Sequence, residues 1–270
     1  MRWEDMTSID FQKAVIKCKK VCLLPVACLE KHGDHLPLGT DMLWGKAVAE
    51  KAADKESAIV FPSYYFGQIN CARHVPGTIS VRHQLLVELL ENVCDEIARN
   101  GLKKIILLNT HGGNEMFLQY FAQILLEKER DYVVYVIRIG DKSSDVDARW
   151  KEMVETKIDG HAGEMETSQM IAACPELVKI KDLSSRETGL PADRIKHLPS
   201  CFTGIWWYAS YPHHYAGEGK YGSKKKGEYL LEYESGKVAE IIKAVKADAV
   251  TRKLTREFYR RSLRPSNYTS

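Results

Sequence analysis

Nowhere does the chain hold the roughly 18 uninterrupted apolar residues that a membrane span needs, which excludes a spanning helix. The opening segment, "MRWEDMTSIDFQKAV", lacks the apolar core of a secretory signal, so a cytoplasmic location is expected. Cysteine is present but unpatterned. The seven thiols are odd in number and form no Cys-x-x-Cys pair, which argues against a disulfide frame or a zinc ribbon. Most sit among apolar neighbours, as small reduced hydrophobes do. There is no internal repeat, no low-complexity linker and no DNA- or RNA-binding motif. Net charge is low, +3 over 270 residues. The positive excess lies in the tail, where Arg252, Lys253, Arg256, Arg260, Arg261 and Arg264 face only Glu257. A basic tail can meet nucleic acid, but with no supporting motif it reads as a solvated or subunit-contacting segment.

What is present is an ordinary globular composition, 44% hydrophobic, enough to bury a substantial core. The β-branched runs at 21–28, 58–66, 104–110 and 132–140 read as strands. Helical spacing occupies Asp41 to Ala53, His83 to Asn100, Glu115 to Arg130 and Gly227 to Asp248, the second ending in an Asn-Gly stop. Alternating strands and helices predict an α/β fold with a mainly parallel sheet covered on both faces, a three-layer α/β/α arrangement. Residues 1–249 read as a single domain and 250–270 as the basic tail. Residues 180–222, crowded with Pro, Gly, Trp and His, show no period and read as a long functional loop.

Ligands in such sheets bind beyond the carboxyl ends of the strands, and there the polar residues cluster. "LEKHGDHLPLGTD" (29–41) follows the first strand. Glu30 and His32, two apart, point to the same side of an extended backbone, and a Gly/Pro loop can fold Asp41 back toward them. Glu, His and Asp offer the donors favoured by zinc, manganese and non-haem iron. "NTHGGNE" (109–115) places His111 past another strand end, followed by two glycines that admit close approach of a ligand, or of a phosphate at the helix start. "DGHAGEMETS" (159–168) gathers His161, Glu164 and Glu166. On a helix His161 and Glu164 would share a face, with Glu166 turned about 160° from Glu164; Glu164 by itself reads as a solvated helix-start acid. His74, in "RHVPGTIS" (73–80), is a further candidate. Trp206 and Trp207 offer aromatic walls for a substrate or a plug between subunits, while His213 and His214 read as loop residues.

The motifs "LPVACLEKHGDHLPLGTD", "RHVPGTIS", "NTHGGNE" and "HAGEMETS", in this order, together resemble the creatininase (creatinine amidohydrolase) family, over about residues 3 to 247. The resemblance implies a single α/β domain, two divalent metal ions per subunit (Zn2+ or Mn2+, with Fe2+ possible) and a homohexamer. It places Glu30 and His111 on one ion, His32 on the other and Asp41 between them, with His161 as the catalytic histidine. Asp34 and His35, left over in the same segment, read as residues near the ligands or at the mouth. Creatininase itself has Tyr then Glu after the matching histidine, that Glu being a metal ligand, whereas this chain has Gly112 and Gly113. Glu166 is expected to fill the gap. Relatives with the Gly-Gly form include formamide-cleaving enzymes and a peptide-clipping protein of mycofactocin maturation. The expected activity is cleavage of a C–N amide bond in a small cyclic amide or formamide by a metal-bound hydroxide. Peptide clipping and a catalytically silent metal-binding role are the alternatives.

Overall fold

The computed structural model describes residues 1–139, 148–183 and 189–265. Gly140, at the end of the fourth expected strand, part of the expected loop and the last residues of the tail lie outside the described residues. The chain opens with α1 (Ser8–Lys17), β1 (Val21–Val26), α2 (Thr40–Lys55), β2 (Ile59–Val60), α3 (His83–Arg99) and β3 (Lys104–Asn109). It continues with α4 (Glu115–Ile124), β4 (Val133–Arg138), α5 (Ala148–Met153), β5 (Asp159–His161) and α6 (Glu164–Ala173). Last come α7 (Trp206–Ser210), β6 (Ala216–Gly217), α8 (Lys224–Ala247) and α9 (Thr251–Ser262).

The main sheet runs β2-β1-β3-β4, all parallel. Central strands buried on both faces must be apolar throughout, and the two-residue period sorts their side chains. Cys22, Leu24, Val26, Ile105 and Leu107 pack against Ala14 of α1, Leu90, Cys94 and Ile97 of α3, and Leu118 and Phe121 of α4. Val21, Leu23, Ile106 and Leu108 face Trp44, Val48 and Ala52 of α2 and Leu230, Val238 and Ile242 of α8. The result is a three-layer α/β/α fold. Val26 pairs with Asn109, so β1 and β3 end level and their exits open side by side.

Several boundaries differ from the sequence reading, each for a local reason. The second strand covers only Ile59–Val60 instead of 58–66. Pro62 has no N–H to give, and pairing resumes only as a single bridge between Val26 and Tyr64. The outer edge of β2 is closed by the start of the chain: the Met1 amine donates to the Ala58 carbonyl at 3.1 Å and Val60 N–H to the Met1 carbonyl at 2.8 Å. The helix expected to reach Arg130 stops at Ile124 and tightens into a 3-10 turn over Leu125–Glu127. Beyond it Arg130 donates to Glu91 at 2.7 Å and the Tyr132 hydroxyl to Asp95 at 2.7 Å, tying the segment to α3 and turning it into β4. The Asn-Gly stop of α3 takes its expected form, with Gly101 at φ +94°.

Several elements were not expected, α1 and α5 among them, and two alter the reading of the loop and the tail. The loop region contains α7 and β6, and β6 pairs antiparallel with β5 to make a small ribbon. His161 therefore ends a strand, not the first turn of α6. Residues 251–262 of the tail form α9, whose Tyr259 hydroxyl donates to the carbonyls of Leu125 and Lys128. Among the described residues no helix is long and apolar enough to cross a membrane.

Candidate metal centre

Four segments meet at the carboxyl edge of the sheet. Glu30 and His32 follow β1, Asp41 occupies the first turn of α2, His111 follows β3, and His161 and Glu166 flank the junction of β5 and α6. Glu30, His32, Asp41 and His111 are all buried. Three groups of side chains each bring one donor atom apiece within 4.8 Å of one another: Cys28, Glu30, Asp41 and His111; His32, Asp41 and Glu166; and Glu30, His32 and His161.

The histidine tautomers follow from their carbonyl partners, since a carbonyl only accepts. His32 Nδ1–H donates to the Glu30 carbonyl at 3.2 Å, so Nε2 presents its lone pair to Asp41 Oδ1 at 3.0 Å. His111 Nε2–H donates to the Gln68 carbonyl at 2.9 Å, so Nδ1 faces Glu30 Oε1 at 2.8 Å and Asp41 Oδ2 at 2.9 Å. His161 Nε2–H donates to the Lys31 carbonyl at 2.7 Å, leaving Nδ1 on the side of Glu166 Oε2, 3.8 Å away. A lone pair aimed at a carboxylate oxygen is repulsive unless a positive charge lies between them. Histidine metal ligands show this arrangement, one nitrogen fixed by a carbonyl and the other turned inward. Asp41 splits its two oxygens between His32 and His111.

The protein without a cation meets this demand with protons. Burial opposes charge on His32, yet Asp41 beside it, with Glu166 and Glu30 behind, pushes its pKa up to about 10. Burial likewise opposes charge on His111, and Cys28, Glu30 and Asp41 hold its pKa well above the ordinary value. Burial would raise Glu30, but His111 and His161 hold its carboxyl well below the usual carboxylate range. Asp41 is held low in the same way against burial by His32 and His111. A divalent cation displaces such protons and satisfies the same carboxylates. The donor set of carboxylate oxygens and imidazole nitrogens fits zinc or manganese. His161 differs: burial and the neighbouring His32 push its pKa down.

The structure separates the two glutamates of the third motif. Glu164 is fully buried and turned from the centre. It pairs with Lys226 and accepts from the backbone N–H groups of Glu155 and Thr156, so it is not a solvated acid. Glu166 faces inward, its Oε2 3.8 Å from both His32 Nε2 and His161 Nδ1. Asp34 lies at the surface against Lys31, and His35 is buried with Nε2 2.8 Å from Thr167 Oγ1. Burial and the nearby His32 lower the His35 pKa to about 4.

Among the outer candidates, Trp207 sets its ring edge-on to His161 with centroids 5.6 Å apart. Trp206 lies further out, 43% exposed, against Phe202 and Trp207. His74 is exposed and donates to the Pro212 carbonyl at 2.8 Å. His214 reaches the centre although it carried no signal in the sequence beyond standing beside exposed His213. It is fully buried, its Nδ1 lies 3.6 Å from Glu30 Oε2, and Trp207 Nε1–H donates to it at 3.3 Å. Gly33 N–H donates to the His214 carbonyl at 3.0 Å, tying the loop carrying His214 to the first motif. Cys28, read as a small hydrophobe, also stands among the donors, with Sγ 3.8 Å from Asp41 Oδ2.

Comparison with known proteins finds that the creatininase family model, described as creatinine amidohydrolase, matches residues 4–242. Creatinine amidohydrolase of Pseudomonas putida is 27% identical over 259 residues, 88% of this chain and 95% of that protein. The mycofactocin precursor peptide peptidase of Mycolicibacterium smegmatis is 29% identical over 184 residues, 66% of this chain and 68% of that protein. A mutant creatininase of the Zn-Zn type superposes with a TM-score of 0.78 at 25% identity, covering 92% of this chain and 98% of the other.

Proposed function

The chain belongs to the creatininase family, and from that membership we propose that it is a metal-dependent amidohydrolase cleaving a C–N amide bond in a small cyclic amide or formamide. Glu30, Asp41 and His111 would hold one divalent ion, Zn2+ or Mn2+, and His32, Asp41 and Glu166 a second. The observation that carries this is the geometry of Asp41, whose two oxygens meet two imidazole lone pairs, each fixed by a backbone carbonyl on its far side. When bound, such ions supply Lewis acidity toward the amide carbonyl and an acidified water for attack.

The chain's own groups would do the rest. His161, with Nε2–H held by Lys31, keeps Nδ1 free to move a proton to the leaving nitrogen, a contribution of roughly 10²–10⁴-fold. Trp207 walls this imidazole from solvent, and His74 borders the same loop. Glu166 stands in for the glutamate that creatininase carries where this chain has Gly113. At Gly112 a Cβ would meet nothing within 4 Å, so the tyrosine of creatininase is replaced by open space. That space favours a substrate other than creatinine. The M. smegmatis relative supports a second reading, in which the amide belongs to a peptide. We extend the proposal to a cytoplasmic homohexamer, which light scattering on the purified protein tests.

The functional test combines metal analysis with a hydrolysis screen of lactams, formamides, ureides and short peptides. About two ions per chain are expected in the wild type and fewer than one in Asp41→Asn. His161→Ala is expected to keep both while turnover falls roughly 10²–10⁴-fold; loss of an ion with it would make His161 a ligand. A wild type that holds less than about one ion and gains no thermal stability from Zn2+ or Mn2+ overturns the proposal.

A further inference from the structure

Resting on that reading, we infer that Cys28 is a fourth donor to the ion held by Glu30, Asp41 and His111, closing this site as a zinc-preferring one and leaving the open position to its neighbour. The thiol lies two residues before Glu30, is fully buried, and has Ile69 and Ala72 packed around it. Its Sγ lies 3.8 Å from Asp41 Oδ2 and within 4.8 Å of the donor atoms of Glu30 and His111. Tetrahedral zinc, with Zn–S about 2.3 Å and Zn–O about 2.1 Å, places sulfur and oxygen about 3.6 Å apart. The His111 Nδ1 lone pair is aimed at the same acids, because its Nε2–H is spent on Gln68. Among the described residues Cys28 is the one cysteine in such a donor group.

The two halves of the centre then differ in kind. Four protein donors, one of them sulfur, describe a closed site that selects zinc over manganese. His32, Asp41 and Glu166 are three donors of oxygen and nitrogen, and Glu166 is partly exposed, so this half keeps room for water and substrate. Forming the sulfur–metal bond releases the thiol proton to solvent.

The test adds Co2+ stepwise to metal-stripped protein and follows the thiolate-to-cobalt charge-transfer band in the near ultraviolet. In the wild type the band should rise with one equivalent and stop while the d–d bands continue to a second. Cys28→Ser should lose the band and keep the d–d bands. Its Zn2+ dissociation constant should rise at least about tenfold, with Mn2+ changed less than about threefold. Cys71→Ser, altering a neighbouring half-buried thiol, should keep the band. X-ray absorption on zinc-loaded wild type needs no variant and should show sulfur at about 2.3 Å at one equivalent. Two bound cobalt ions without the band, a band that survives Cys28→Ser, or zinc without a sulfur neighbour overturns the inference and leaves the amidohydrolase reading standing. A wild type that binds neither cobalt nor zinc overturns both.

Discussion

Replacing Lys226 by Met tests how the third motif is held in place. The Lys226 ammonium, on the first turn of α8, pairs with Glu155 Oε1 at 2.6 Å and with buried Glu164, and donates to the Tyr221 carbonyl at 3.0 Å. Glu164 opens α6, so this pair ties α8 to the helix that carries Glu166 and to the segment leading into β5 and His161. Met retains the apolar stem and removes only the charge. Removing one partner of a buried pair costs roughly 3–5 kcal/mol. Glu164 keeps two N–H donors, Glu155 at 3.0 Å and Thr156 at 2.7 Å, which puts the expected loss at the lower end, about 3 kcal/mol. An unfolding entropy of ~2.1 cal/mol/K per residue gives about 0.57 kcal/mol/K for a chain of 270 residues, and hence a Tm about 5 °C lower. Calorimetry in the presence of a chelator reads this without a metal contribution. Adding Glu164→Gln to Lys226→Met removes the stranded charge and should recover more than half of the loss. A fall below about 1 °C, or a double variant no more stable than Lys226→Met, would refute the reasoning.

Glu234, buried on α8, donates nothing and accepts from Trp44 Nε1 at 2.7 Å; burial raises its pKa to about 7, only partly offset by that bond. Unfolded, it releases its proton near pH ~4.3, so the wild type loses stability as pH climbs from about 4 to 7 and bears the whole penalty above. Glu234→Gln should therefore gain unfolding free energy over the wild type progressively across that window, by up to roughly 3–4 kcal/mol at pH 8, and a stability gap equal at pH 5 and pH 8 would contradict this. Gly113→Ala places a Cβ 2.4 Å from His111 Nε2 and 3.0 Å from the Gln68 carbonyl, breaking the bond that orients His111. Zinc affinity by calorimetric titration should fall about 10–100-fold. Gly112→Ala, with nothing within 4 Å, should leave it unchanged.

The fold was legible where burial alone decides structure. β1, and β3 from Ile105 to Leu108, are apolar because both faces are covered, and the expected runs 21–28 and 104–110 begin where these strands begin and overrun them by two residues and by one. Where pairing partners decide, the pattern was silent or misleading. β5 and β6 are three and two residues long, carry no alternation, and exist because they meet each other and admit close approach: Gly217, at φ +135°, would put a Cβ 3.1 Å from the Gly163 Cα. A helix over 159–168, on which His161 and Glu164 would share a face, does not form, because His161 ends that ribbon. The strand end and a left-handed Ala162, φ +55°, turn the chain so that Glu166, not Glu164, comes back beside His161.

The candidate site divides along the same line. Glu30, His32, Asp41 and His111 were legible because each stands within a few residues of a strand end or helix start, where an unpaired acid or imidazole has no structural purpose. His214 and Cys28 were not, since the first reaches Glu30 across 184 positions and the second hides in an apolar run. What makes the centre chemically specific lies elsewhere still, in the carbonyls of Glu30, Gln68 and Lys31 that fix which nitrogen of each histidine faces inward. Every residue owns a carbonyl, so no pattern of side chains can mark the ones that do this. A motif can name the donor types of a metal centre, but the direction of each lone pair is a property of the assembled backbone.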